Sequence, residues 1–250
     1  MAAILAIISF SGCGRQPGRG ASSEATLAVD PSTAGSITGT VVLNGPPPVV
    51  QPIDMDSEPA CAKAHSSPVF PPEVVTGKDG ALANVVVFVK SGLENYRFET
   101  PKDAVVLDQK GCMYEPHVVA LMVNQRLEIR NDDATIHNVH SMPKINEGWN
   151  KAQRVGGPPL EATFTSPELA IPFMCNVHPW MRSFVFVFGH PYYAVTSTSG
   201  AFALRGLPPG TYSIEAWQEK YGVQERRVTL APKESKALTF TFNSAGPSGG

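Results

Sequence analysis

The run IPFMCNVHPWMRSFVFVFGH, residues 171–190, holds a short loop between two apolar segments. Cys175, His178 and Met181 stand in that loop at C-x2-H-x2-M spacing: a thiol, an imidazole and a thioether within seven positions. Pro179 fixes φ and removes an N–H, so the chain turns back at once and leaves fewer backbone donors near the Cys175 sulfur. Each element alone is ordinary, since a buried Cys beside a surface His is commonplace and a lone Met is more often core. Three soft or borderline donors between two apolar strands point instead to a metal.

Working outward, β-branched and aromatic runs bounded by turn residues recur from Ser36 onward. They include SITGTVVLNG, ANVVVFVKSG, HVVALMVNQRLEIRND, TYSIEAW and KALTFTFNS, and no long stretch has apolar residues at helical spacing. Pro (23) and Gly (22) each form about nine per cent of the 250 residues, which suits short strands joined by tight turns. The chain therefore reads as all-β, in Greek-key sandwiches. A formal charge of −2 without a basic run argues against nucleic acid, and no segment reaches the roughly 18 apolar residues of a membrane span.

The start, MAAILAIISFSGCGRQ, is a short apolar run ending in small residues before Cys13; the Gly/Ser/Ala-rich GRGASSEATLAVDPSTAGS follows. Residues 1–13 read as an export signal and 14–35 as a flexible tether. FSGC resembles a bacterial lipobox, which implies lipidation of Cys13 and a periplasmic, membrane-anchored protein, although Phe10 stands where Leu is usual and no Lys or Arg precedes the run. With Cys13 and Cys175 assigned, Cys61 and Cys112 remain. In an oxidising compartment they are expected to pair. CAKAH and CMYEPH keep a rival open, in which Cys61, His65, Cys112 and His117 bind a second metal.

From about Ala104 to Val187 the order of motifs resembles that of a cupredoxin, the plastocyanin and amicyanin family. YEPHVVALMVNQRLEIRNDDATIHNVH supplies an aromatic-x-Pro, two strands, an Asn and a His; the closing strand, the loop and the last strand follow. The flanks resemble a transthyretin-like or carboxypeptidase-regulatory sandwich, opening at ITGTVVLNGPPP…LANVVVFVK and closing at VTSTSGAFALRGLPPGTYSIEAW. The economical arrangement is a cupredoxin of residues 98–189 inserted into a discontinuous sandwich of 36–97 and 190–243, with a disordered tail at 244–250. Two sandwiches in series is the alternative.

A type 1 copper site takes one thiolate, two imidazoles and a weak axial donor. The loop supplies three of these ligands, and HNVH offers the fourth twice. Three positions apart on a strand, His137 and His140 point to opposite faces, and parity alone does not choose between them. The resemblance chooses His137, which is followed by Asn-Val and stands six residues after Asn131. It implies ligation by His137, Cys175, His178 and Met181, with Asn138 bracing the thiolate and Pro179 shaping the loop. It also implies electron passage through a surface patch of His178, Pro179 and Trp180.

A closed mononuclear site, with no vacant position for substrate, favours one-electron shuttling over catalysis. The expectation is a monomeric, exported blue copper protein with one copper, no enzymatic activity, and a redox protein of the cytochrome or dehydrogenase class as partner. Membrane contact would come only through the lipid. A Cu(I) carrier or sensor that does not shuttle electrons, and a structural module with a vestigial site, are the alternatives. Near-neutral charge predicts weak salt dependence of electron-transfer rate.

Overall fold

The computed structural model describes residues 27–244; the signal and lipobox segment with Cys13, the first part of the tether, and residues 245–250 lie outside them. The chain is all-β apart from short helical turns. Its first strands are β1 (Gly35–Asn44), β2 (Val86–Ser91), β3 (Val105–Lys110), β4 (Met113–Glu115) and β5 (Val118–Met122). The next are β6 (Leu127–Asn131), β7 (His137–Ser141), β8 (Trp149–Gln153), β9 (Leu160–Ala162), β10 (Glu168–Met174) and β11 (Arg182–Phe188). The last are β12 (Tyr193–Val195), β13 (Ala201–Leu207), β14 (Gly210–Gln218), β15 (Gly222–Leu230) and β16 (Ser235–Asn243), while one helical turn, α1 (Pro59–Lys63), interrupts the gap between β1 and β2.

These strands form four sheets in the orders β13-β1-β16, β12-β2-β14-β15, β5-β11-β10-β7-β8 and β4-β3-β6-β9. The first two draw strands from both ends of the chain and enclose one core of Ile37, Val41, Val87, Val89, Leu204, Tyr212, Ile214 and Phe240. The last two use the middle of the chain and enclose another, with Leu107, Leu121, Ile129, Val139, Phe173 and Val185.

A third apolar layer lies where the two sandwiches meet: Val86, Phe88, Val118, Phe186 and Phe188, with Trp217 packed against them. The Phe186 and Trp217 rings lie 4.8 Å apart and the Phe88 and Phe188 rings 5.0 Å apart. This layer explains why ANVVVFVK and RSFVFVF lack a polar face. In β2, Val87 and Val89 enter one sandwich core while Val86 and Phe88 enter the junction. In β11, Val185 and Val187 face the core of the middle strands while Phe186 and Phe188 face the junction. Both faces of each strand are buried, so the alternation normal for a half-exposed strand is lost. Each fully buried Phe or Val adds roughly 1.5–3 kcal/mol.

Strand β1 pairs antiparallel with β13 and parallel with β16, bringing Ser36 beside Ser235. Gly39 is required there, because a Cβ at that position would lie 1.7 Å from the Leu238 carbonyl oxygen.

Two boundaries differ from the sequence reading. Residues 27–34 are not a free tether: Leu27 N–H donates to Asn95 C=O and Leu27 C=O accepts from Arg97 N–H at 3.0 Å each, and Ser32 N–H donates to Asp30 at 2.8 Å. Residues 53–69, expected in the outer sandwich, instead pack on the central one. Met55 and Cys61 are part of its core and Ile53 and Val69 lie against it. Ile53 N–H donates to Val69 C=O at 2.8 Å, closing this segment at its base.

Candidate metal centre

Strand β7 alternates inward and outward, with His137, Val139 and Ser141 buried and Asn138 and His140 half-buried. That parity sends His137 inward, while His140 stays at the rim, its Nδ1 3.2 Å from Asn176 Oδ1. The loop after β10 is closed by two backbone bonds, Cys175 N–H to Met181 C=O (3.2 Å) and Met181 N–H to His178 C=O (2.9 Å). Asn138 Oδ1 accepts the Asn176 N–H at 2.6 Å and lies 3.5 Å from Cys175 Sγ, so it ties β7 to the loop beside the thiol. Tyr114 adds a second tie, donating its hydroxyl towards Asn138 C=O (3.2 Å) and Met174 C=O (3.3 Å).

His137, Cys175 and His178 converge, all buried, with one donor atom from each within 4.8 Å of the others. Cys175 Sγ lies 3.9 Å from His137 Nδ1 and 3.7 Å from His178 Nδ1, and the two Nδ1 atoms are 2.9 Å apart. Metal bonds of about 2.3 Å to sulfur and 2.0 Å to nitrogen at about 120° would put sulfur and nitrogen roughly 3.7 Å apart. Both sulfur–nitrogen separations meet that test, and the two nitrogens, 2.9 Å apart, would subtend roughly 90° at the ion, narrower than the trigonal angle. Met181 is fully buried in the same core cluster as Cys175, between the loop and β11. Pro179 is exposed at the bend.

The electrostatics of the metal-free site follow from this geometry. Burial opposes charge on His137, but the Asp133 carboxylate and the Cys175 sulfur outweigh it and hold the imidazole up to about 9. Burial likewise opposes the Cys175 thiolate, yet His137 and the backbone N–H groups of the loop bring its pKa below the ordinary thiol value. His178 is lowered by burial and then by the neighbouring His137 charge. The two Nδ1 atoms share one hydrogen bond at 2.9 Å, and a metal bound between them would displace its proton.

Asp133, which the motif reading missed, accepts His137 Nε2–H at 2.9 Å. It also takes the N–H groups of Gly111 (2.6 Å) and Cys112 (2.8 Å). Those two residues have φ of 62° and 53°, the left-handed backbone that aims consecutive N–H groups at one carboxylate. The i,i+4 spacing of Asp133 and His137 was the available signal.

Cys61 on α1 and Cys112 in the β3–β4 turn are joined as a disulfide across 51 residues. The rival second-metal set does not assemble. His65 Nε2 bonds Gly111 C=O at 2.7 Å, and His117 lies between Glu219 Oε2 (2.9 Å) and Arg182 C=O (3.1 Å). A sulfur from each disulfide cysteine lies within 4.8 Å of a His178 ring nitrogen.

The expected surface patch of His178, Pro179 and Trp180 is corrected by this cover. His178 is 0% exposed because α1 and the disulfide lie over it, with Glu58 Oε2 3.7 Å from its Nε2. Trp180 is half-buried, its ring 5.3 Å from that of His178 and its Nε1–H donating to Cys112 C=O at 2.9 Å. It also lines a cleft of about 220 Å³ with His117, Arg182 and Glu219.

Comparison with known proteins gives one family-model match and partial likenesses to solved structures. Residues 183–243 match the family model of the carboxypeptidase regulatory-like domain. That match begins inside β11, which pairs with β5 and β10 in the five-stranded sheet of the central sandwich. An oxidised proline-to-alanine variant of amicyanin is similar at 25% identity over 34% of this chain and 81% of that chain, with a TM-score of 0.31. A purple cupredoxin from Nitrosopumilus maritimus gives 22% identity over 34% of this chain and 99% of that one, with a TM-score of 0.29. A Cu-containing nitrite reductase from Thermus scotoductus SA-01 gives 19% identity over 60% of this chain but only 28% of that one, with a TM-score of 0.32. No curated protein matches the chain.

Proposed function

We propose that the protein is an exported type 1 copper protein that passes single electrons between redox partners and is not an enzyme. The observation that carries this reading is the buried meeting of His137, Cys175 and His178 at metal-ligand spacing, with Met181 buried in the same core cluster as Cys175. One thiolate, two imidazoles and a weak axial thioether are the donor set of a blue copper site, and a bound copper ion supplies a one-electron couple there. The residues do the rest. Asp133 orients His137, Asn138 and Tyr114 hold the loop against β7, and the surrounding core excludes water from the thiolate. Because His178 is covered, Trp180 is the aromatic route from that imidazole towards solvent, and the docking face for a cytochrome- or dehydrogenase-class partner lies around Trp180 and Pro179.

The Cys61–Cys112 disulfide suits an oxidising, extracytoplasmic compartment. Among the described residues no helix is long and apolar enough to cross a membrane; the anchor proposed is a lipid on Cys13. The outer sandwich serves as scaffold, with the metal-bearing one nested in it and the whole acting as a monomer.

The test is copper titration of the full chain. One copper per chain, an intense visible thiolate-to-copper band lost in Cys175→Ala, and reversible voltammetry are expected; a wild-type protein without that band would refute the reading. The burial of His178 under residues 53–69 favours one alternative, a carrier that holds Cu(I) without turning over electrons. Irreversible voltammetry with an intact band would select it.

A further inference from the structure

His178 has one ring nitrogen without a partner. Its Nδ1 faces His137 and Cys175, so a neutral ring holds its proton on Nε2. That nitrogen is buried and has no hydrogen-bond partner. A buried donor left unsatisfied is destabilising. Glu58, the residue before α1, points its Oε2 at this nitrogen from 3.7 Å, which is too long for a hydrogen bond. The Glu58 side chain is 38% exposed and free to turn, whereas the backbone beneath it is fixed three residues later by the Cys61–Cys112 bond.

We propose that Glu58 is a positioning residue for the metal centre: it closes on His178 Nε2–H, fixes the tautomer and tilt of the imidazole, and places a negative charge beside the metal that favours its oxidised state. The inference rests on the copper reading above. Each imidazole then has its own carboxylate, Asp133 for His137 and Glu58 for His178. The second arrives from a segment more than a hundred residues away, held over the ring by a disulfide. It is a tuning contact and a cover at once.

The experiment compares the copper-loaded full chain with its Glu58→Gln, Glu58→Ala and Asp56→Asn variants. Asp56 is an exposed carboxylate two residues away and controls for general loss of charge. Losing a carboxylate charge beside the ligand imidazole removes a stabilisation of the oxidised state, weakened by solvent screening at a half-exposed side chain. Glu58→Gln should therefore favour Cu(I) about tenfold, a rise of about 59 mV for a one-electron couple. Asp56→Asn should move the potential far less, and all variants should keep the visible band. In the diamagnetic Cu(I) protein, nitrogen NMR should show a protected His178 Nε2–H that exchanges faster in Glu58→Ala. A Glu58→Gln shift no larger than that of Asp56→Asn, or Nε2–H exchange unchanged in Glu58→Ala, would overturn the proposal while leaving the copper reading intact. An absent band in the wild type would sink both.

Discussion

Removing the Cys61–Cys112 cross-link tests whether residues 53–69 are a pinned cover. The bond closes a loop of 51 residues, and chain entropy of −2.1 − 1.5R ln n then gives roughly 14 cal/mol/K, about 4 kcal/mol at 25 °C. Both cysteines are buried in the central core, so Cys61→Ala/Cys112→Ala also loses sulfur packing and the deficit grows. With a slope of about 2 to 3 kcal/mol per molar urea, the unfolding midpoint of the metal-free double variant should fall by at least roughly 1.5 M. Fluorescence of Trp180, whose Nε1–H bonds the Cys112 carbonyl, follows the transition. Amide exchange should rise first at Ile53, whose N–H closes the segment on Val69. In the copper-loaded variant, His178 should become reachable, so oxidation by small inorganic reagents should accelerate. A midpoint within about 0.5 M of the wild type, with unchanged protection at Ile53, would show that packing alone holds the segment and that the disulfide is incidental.

Trp180 separates stability from electron passage. Trp180→Phe keeps a ring beside His178 but strands the Cys112 carbonyl, so stability should drop by about 1–3 kcal/mol in urea unfolding while stopped-flow electron transfer to a protein partner is retained. Trp180→Leu should lose both, with the visible band unmoved. Glu168 predicts an acid-side effect. Burial alone would raise its pKa, but the N–H groups of Lys144, Ile145 and Asn146 with the Asn146 side chain outweigh burial and hold it below its unfolded value near 4.5. A lowered folded pKa means that the stabilisation is present above that unfolded value and disappears as pH falls through the folded one. Glu168→Gln should therefore be less stable than wild type at pH 7, the difference shrinking below pH 4.5; parallel curves down to pH 3 would contradict this.

The ligand loop was legible because its donors are local. Cys175, His178 and Met181 fall within seven residues, and a turn of that length leaves them nowhere else to go. The choice between His137 and His140 needed the resemblance, since strand parity separates the two without saying which side is inward. The all-β reading was legible from runs such as RSFVFVF, although the cause of their unbroken apolarity, a second buried face at the junction, was not. Least legible was the surroundings of His178. The expectation of an exposed edge failed because Glu58 and Cys61 lie more than a hundred residues upstream, in a stretch whose sequence signals were a cysteine awaiting a mate and a histidine four residues on. Asp133 sat in plain view at four residues from His137, but a carboxylate in NDDATIH reads as turn material until the Gly111–Cys112 backbone is seen to wrap it.

The parallel pairing of β1 with β16 sets the order in which the molecule can be completed. Ser36 and Ser235 touch across 199 positions, so the opening strand has one neighbour missing until the final one has been made. Contacts of such long range are slow to form because the loop they close must be ordered first. The whole inner sandwich lies within that span, free to fold and enclose its ligand pocket while the outer shell is still open. Deleting residues 235–243 should therefore leave β1 with an unsatisfied edge prone to self-association, yet spare the chemistry at the centre.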